Sequence, residues 1–90
     1  MIEIEVKIVN NLGLHARAAA QLVRLASSFQ SKINLERKDN VATANAKSIL
    51  SLLTLAASKG TELKLIVEGV DEKKAFTAVK KIFVNGFSEL

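Results

Sequence analysis

Ninety residues, 49% of them hydrophobic, fit one compact domain able to bury a core without disulfides or a structural metal. The absence of cysteine excludes disulfides and thiolate zinc sites and suits a reducing compartment, and a single histidine argues against a histidine-based metal centre. A net charge of +4 points to an acidic partner or to nucleic acid, and charge alone does not choose between them.

The run Ile2-Glu3-Ile4-Glu5-Val6-Lys7-Ile8 alternates with period two. It predicts a strand with Ile2, Ile4, Val6 and Ile8 toward a core and Glu3, Glu5 and Lys7 in water. This opening lacks the basic and then apolar organisation of a secretory signal, and no stretch is long enough to cross a bilayer, so a cytoplasmic protein without membrane insertion is expected. The pattern changes after Asn11-Leu12-Gly13-Leu14. From about Ala16 to Ser27 or Ser28 a helix is predicted, with Ala19, Leu22, Val23 and Ala26 as its buried stripe and Arg17, Gln21 and Arg24 on or near its exposed side.

His15 thus falls at the seam between strand and helix. A helix start presents unpaired N–H groups and the positive end of the macrodipole, which favours a neutral, nucleophilic imidazole and places any anion it acquires among donors. Arg17 adds a planar fork suited to phosphate. Gly13 permits a positive-φ turn just before the site, and Ala16, Ala18, Ala19 and Ala20 leave the helix mouth open to the backbone of a partner. A lone histidine on a surface turn is more commonly an ordinary polar residue or a cap. The company of Gly13, Arg17 and the alanines makes this one a candidate reactive group.

Ile33 and Leu35 alternate with Lys32, Asn34 and Glu36 in a second strand, and Lys38-Asp39-Asn40 turns the chain into a short third strand near Val41 to Thr43. Ala46-Lys47-Ser48 opens a second helix carrying Ile49, Leu50, Leu52, Leu53 and Leu55, with a stop at Lys59-Gly60. Leu63, Leu65 and Val67 mark a fourth strand that Gly69 breaks. Asp71 then caps a last helix with Ala75, Ala78, Val79, Ile82 and Phe83 on the helical period, ended by Asn85-Gly86 and followed by Phe87 in a tail.

The order β-α-β-β-α-β-α predicts an α+β, two-layer sandwich, a four-stranded antiparallel sheet covered on one face by three helices. The pattern alone does not separate an open-faced sandwich from a ferredoxin-like arrangement with an extra helix. None of the four phenylalanines falls in a predicted strand and there is no tyrosine or tryptophan, so a base-stacking platform for nucleic acid is poorly supported.

Gly13-Leu14-His15-Ala16-Arg17, followed further along by Asn45-Ala46-Lys47-Ser48-Ile49-Leu50, resembles the HPr family, the histidine-containing phosphocarriers of the bacterial phosphoenolpyruvate-dependent phosphotransferase system. The similarity runs from the first strand to the Gly69-Val70-Asp71-Glu72 entry into the last helix. The resemblance implies the open-faced sandwich and a phosphocarrier acting on sugar uptake or a regulatory branch. In that reading His15 accepts phosphate on Nδ1 from enzyme I and passes it to enzyme IIA domains, with Arg17 beside it. Such a protein is a stoichiometric relay without a cofactor, not a self-contained enzyme, and works naturally as a monomer. The N–H groups of Ala16, Arg17 and Ala18 read as phosphate-binding donors. The family usually has proline directly after the active-site arginine. Ala18 stands there instead, which makes the helix start less rigid and adds one donor.

Ser48 reads from its position as a helix cap. The resemblance implies in addition a regulatory serine, phosphorylated by the HPr kinase/phosphorylase. Phosphate there would stand beside Ile49 and Leu50, which with Ala20, Arg24 and Lys47 form the expected docking surface, Arg17, Arg24 and Lys47 being its basic rim. Two other readings compete with the carrier: a docking module of the same fold controlled only through Ser48, and a small nucleic-acid-binding domain supported by little beyond charge.

Overall fold

Residues 1–89 are described by a computed structural model, and their elements follow the predicted order. They are β1 (Ile2–Lys7), α1 (Ala16–Ser27), β2 (Lys32–Arg37), β3 (Thr43–Asn45), α2 (Ile49–Thr54), β4 (Glu62–Glu68) and α3 (Glu72–Val84), then a 3₁₀ turn, Gly86–Ser88. The sheet runs β1-β4-β2-β3 with every neighbouring pair antiparallel. The strand inserted between β1 and β2 is β4, the point periodicity left open.

Register explains the layering. Ile4 and Leu35 both lie opposite Leu65, so their side chains share one face and pack under α1 and α3. On the other face Glu5 and Glu36 lie opposite Lys64, a polar surface that stays open to water. The helices bury their apolar stripes accordingly, Ala19, Leu22 and Ala26 from α1 and Ala75, Val79 and Phe83 from α3.

Four expectations need correction. β3 starts at Thr43, because the turn after Arg37 runs on through Val41, which takes φ 52 and stands 69% exposed before Glu36 pairs with Thr43. α2 is also shorter than its apolar run suggests. Its chain leaves the helix at Leu55 and Ala56 (φ 51), well before Lys59-Gly60. The Ala57 carbonyl is taken by Leu14 N–H (2.8 Å) and Gly60 N–H by the Ile8 carbonyl (2.7 Å), bonds that a continuing helix forbids.

Asp71 occupies the α3 N-cap position but caps nothing with its side chain. Its carboxylate accepts from the N–H groups of Gln30 and Ser31 (2.9 Å each) and from the Ser31 hydroxyl, tying the turn after α1 to the start of α3. The Ser31 hydroxyl, then the Gln30 amide, hold its carboxyl below the usual aspartate range against the opposing effect of burial. Glu72 reaches back instead, accepting from Gly69 N–H at 3.1 Å. Phe87, finally, is core and not tail. It is 1% exposed and meets Phe83 edge to face at 5.2 Å between centroids.

Candidate functional site

The loop from β1 to α1 is built on Asn10, a fully buried side chain whose Nδ2 donates to the Gly13 carbonyl at 2.8 Å while Gly13 N–H returns to the Asn10 carbonyl at 3.1 Å. Gly13 has φ +69, and a Cβ there would lie 2.6 Å from the Ala57 carbonyl oxygen, so glycine is required twice over. Leu14 is buried next to it. This clamp delivers His15 as the residue preceding α1, in extended conformation, with its carbonyl accepting the first helical bond from Ala19 N–H at 2.8 Å.

The imidazole does not cap the helix, and the first turn contains no acidic residue. The N–H groups of Ala16, Arg17 and Ala18 therefore precede the helical ladder and face outward from its positive end. Ala18 contributes that N–H alone, since its methyl group is fully buried.

The imidazole is 26% exposed and its Nε2 lies 2.6 Å from Oε2 of Glu89. Arg17 Nη2 donates to the same oxygen at 3.1 Å, and Asn10 Nδ2 donates to Oε1 at 2.9 Å. Asn10 first, then His15 and Arg17, hold the Glu89 carboxyl below the ordinary glutamate range, outweighing its burial. An ionised carboxylate only accepts, so Nε2 is the donor in this bond, and Nδ1 is the ring nitrogen not engaged by Glu89.

Sequence reasoning missed Glu89. Nothing local marks it. It arrives through Phe87 (φ 56) and Ser88 (φ 62), consecutive left-handed residues that turn the chain from the end of α3 back to His15. Asn11, Leu12, Arg17, Gln21, Phe87 and Glu89 line a shallow depression of about 540 Å³ beside the pair.

One prediction follows from the depressed Glu89 carboxyl. In the unfolded chain this group titrates near 4.3. It therefore stabilises the fold fully above that value and ceases to do so as the pH falls through its lower folded value. Glu89→Gln is expected to flatten the acid limb of stability below about pH 4.3, read as urea midpoints between neutral and acid pH; Asp71 retains its own share.

The remaining predicted residues are partly brought together. Ser48 is the N-cap of α2, its Oγ accepting from Ser51 N–H at 3.3 Å. Ile49 (38%) and Leu50 (74%) are exposed next to it, joined by Leu53, and Leu12 is exposed in the site loop. Ala20 is half-buried and Arg24 exposed on α1. Lys47 does not join the expected basic rim as a free charge. Its ammonium donates to the Phe29 carbonyl at 2.8 Å, pinning the start of α2 to the end of α1. Among the described residues no group of His, Cys, Asp and Glu is placed to hold a metal.

A histidine at a bare helix start, beside an arginine and a depression open to solvent, places the imidazole at the surface and not inside an enclosing cavity. The family described as "PTS HPr component phosphorylation site" matches residues 2–85. The phosphocarrier protein HPr of Treponema pallidum (strain Nichols) is 45% identical over 89 residues, covering 99% of both chains. That of Xylella fastidiosa (strain Temecula1 / ATCC 700964) is also 45% identical over 89 residues, covering 99% of this chain and 98% of its own. The crystal structure of HPr-C-His from Thermoanaerobacter tengcongensis superposes with a TM-score of 0.91 at 40% identity, covering 100% of this chain and 99% of that one. The chain belongs to the HPr family of phosphocarrier proteins.

Proposed function

We propose that His15 accepts a phosphoryl group on Nδ1 from phosphorylated enzyme I and surrenders it to enzyme IIA domains. The observation that supports this reading is the 2.6 Å bond from Nε2 to Glu89, which engages Nε2 and so favours Nδ1 as the nucleophile. In the forward step the Nδ1–P bond forms as the bond from phosphorus to the donor's leaving group breaks. The phosphoryl oxygens then take the N–H groups of Ala16, Arg17 and Ala18, and the Arg17 guanidinium turns to them from Glu89. Arg17 is exposed, and a relay that bound its cargo with many fixed donors would stall. Incubation with enzyme I and labelled phosphoenolpyruvate is expected to give acid-labile label on His15. Label absent from His15 overturns the reading.

Ser48 carries the regulatory half of the proposal, as substrate of the HPr kinase/phosphorylase. A phosphate on this N-cap adds about −1.5 to −2 charges beside exposed Ile49 and Leu50. It suits the helix start and spoils an apolar contact, so it blocks docking without unfolding the protein. Aspartate caps helices as well as serine does. Ser48→Asp is therefore expected to keep its stability within about 0.5 kcal/mol while accepting phosphate from enzyme I at least about tenfold more slowly. Denaturant titration and transfer rates check both halves.

A further inference from the structure

Charge is divided unequally between the two layers. On the open sheet face the register sets Glu5 and Glu36 opposite Lys64, Glu62 opposite Lys7 and Glu68 opposite Lys32, so the carboxylates there have cationic neighbours. The helical layer lacks this compensation. α3 exposes Lys73, Lys74, Lys80 and Lys81, and their spacing puts them on one stripe about 12 Å long. The ion pairs among the described residues join other groups and include none of the four, although, after Gly69 N–H and the amino terminus, Lys73 lies near enough to Glu72 to help hold that carboxyl down. The acids nearest this layer are engaged, Asp71 by Ser31 and Gln30, Glu72 by the amino terminus and Glu89 by His15 and Arg17.

The shape of the stripe narrows its partner. Between Lys73, Lys74 and Lys81 lies a shallow depression of about 440 Å³ floored by Thr77 and Ala78, and Lys80 extends over the Phe76 ring at 5.9 Å. Protein interfaces are depleted in lysine and anchored by tyrosine, tryptophan and arginine, none of which occurs in α3. Base readout and strand stacking call for arginine forks or exposed aromatic faces, also missing from this stripe. A dense, laterally mobile layer of phosphates needs only clustered lysines over small residues.

We propose that the outer face of α3 adsorbs to an anionic phospholipid surface, with Lys73, Lys74, Lys80 and Lys81 on the headgroup phosphates and one headgroup over the Thr77–Ala78 depression. α3 runs antiparallel to α1, since Asp71 at its start meets Gln30 beyond the end of α1 and Glu89 beyond its end meets His15 at the start of α1. The site therefore lies at the end of the helical layer where α3 finishes, beyond Lys81, the last lysine of the stripe. Attachment is peripheral, as no described helix is long and apolar enough to cross a membrane.

The test is co-sedimentation of the intact chain with vesicles of phosphatidylglycerol and phosphatidylcholine in equal parts, and of phosphatidylcholine alone, in dilute buffer and with added salt. Binding is expected only to the anionic vesicles, falling steeply with salt. Lys73→Gln/Lys81→Gln is expected to lower the partition coefficient about 25-fold, roughly fivefold per lysine. Lys32→Gln/Lys64→Gln removes equal charge from the sheet face and is expected to lower it less than about threefold. Equal losses in the two double variants, equal binding to neutral vesicles, or tighter binding to duplex DNA at matched phosphate concentration would each overturn the assignment. Circular dichroism of both variants reports that they are folded.

Discussion

Arg17→Ala is expected to slow phosphoryl transfer through His15 by about 10²-fold, the lower end of the effect of removing one donor from developing charge, because the guanidinium must first turn from Glu89. Its effect on folding should stay within about 0.5 kcal/mol. The side chain is 66% exposed, and exposed ion pairs contribute little to stability, so its bond to Glu89 is not there to hold the fold. Removing the guanidinium harms transfer twice, since the phosphoryl oxygens lose a forked donor and Glu89 keeps its full negative charge next to them. Arg17→Lys restores the charge but not the planar fork and should recover only part of the rate. Single-turnover transfer from phosphorylated enzyme I, set beside urea unfolding, separates the two effects. Rates in Arg17→Ala equal to those of the parent would remove Arg17 from the chemistry.

What the sequence made legible was whatever depends on short-range pattern. Period two in Ile2 to Ile8 and in Ile33 to Leu35, and the switch to a helical period at Ala16, located the strands, α1 and the seam that holds His15. Family resemblance then separated two topologies that share one element order. What stayed illegible depends on contacts between distant segments. Val41 has the β-branched character of a strand residue, yet the register of Thr43 against Glu36 left it in the turn. Lys47 looks like a free surface charge until the Phe29 carbonyl is seen beside it. Glu89 is the clearest case, because its role requires α3 to end exactly one turn before Phe87 can fold back into the core. The lysine stripe was visible as net charge, but only the register that pairs the sheet's acids with its own lysines reveals that the positive excess lies off the sheet face, with four of its lysines on α3.

Phe87→Ala should cost about 3–5 kcal/mol, the range for truncating a buried phenylalanine. Against roughly 5–13 kcal/mol for a chain of this length, that loss removes between about a quarter and all of the margin. The ring is 1% exposed and its edge-to-face partner Phe83 would face a void. Backbone geometry sharpens the prediction. Residue 87 sits at φ 56, which costs a non-glycine residue on the order of 1 kcal/mol and costs glycine nothing. Phe87→Gly should therefore be no less stable than Phe87→Ala, reversing the usual order of these two residues, and Phe87→Leu should lie between both and the parent. Because the ring anchors the turn that brings Glu89 to His15, its removal should also weaken the three bonds to that carboxylate. The acid limb of Phe87→Ala is thus expected to be flattened as in Glu89→Gln, measured by urea midpoints across the same pH range. A cost below about 1 kcal/mol, the scale of an exposed substitution, would place Phe87 outside the core. An unaltered acid limb would uncouple the packing of Phe87 from the charge that Glu89 brings to the histidine.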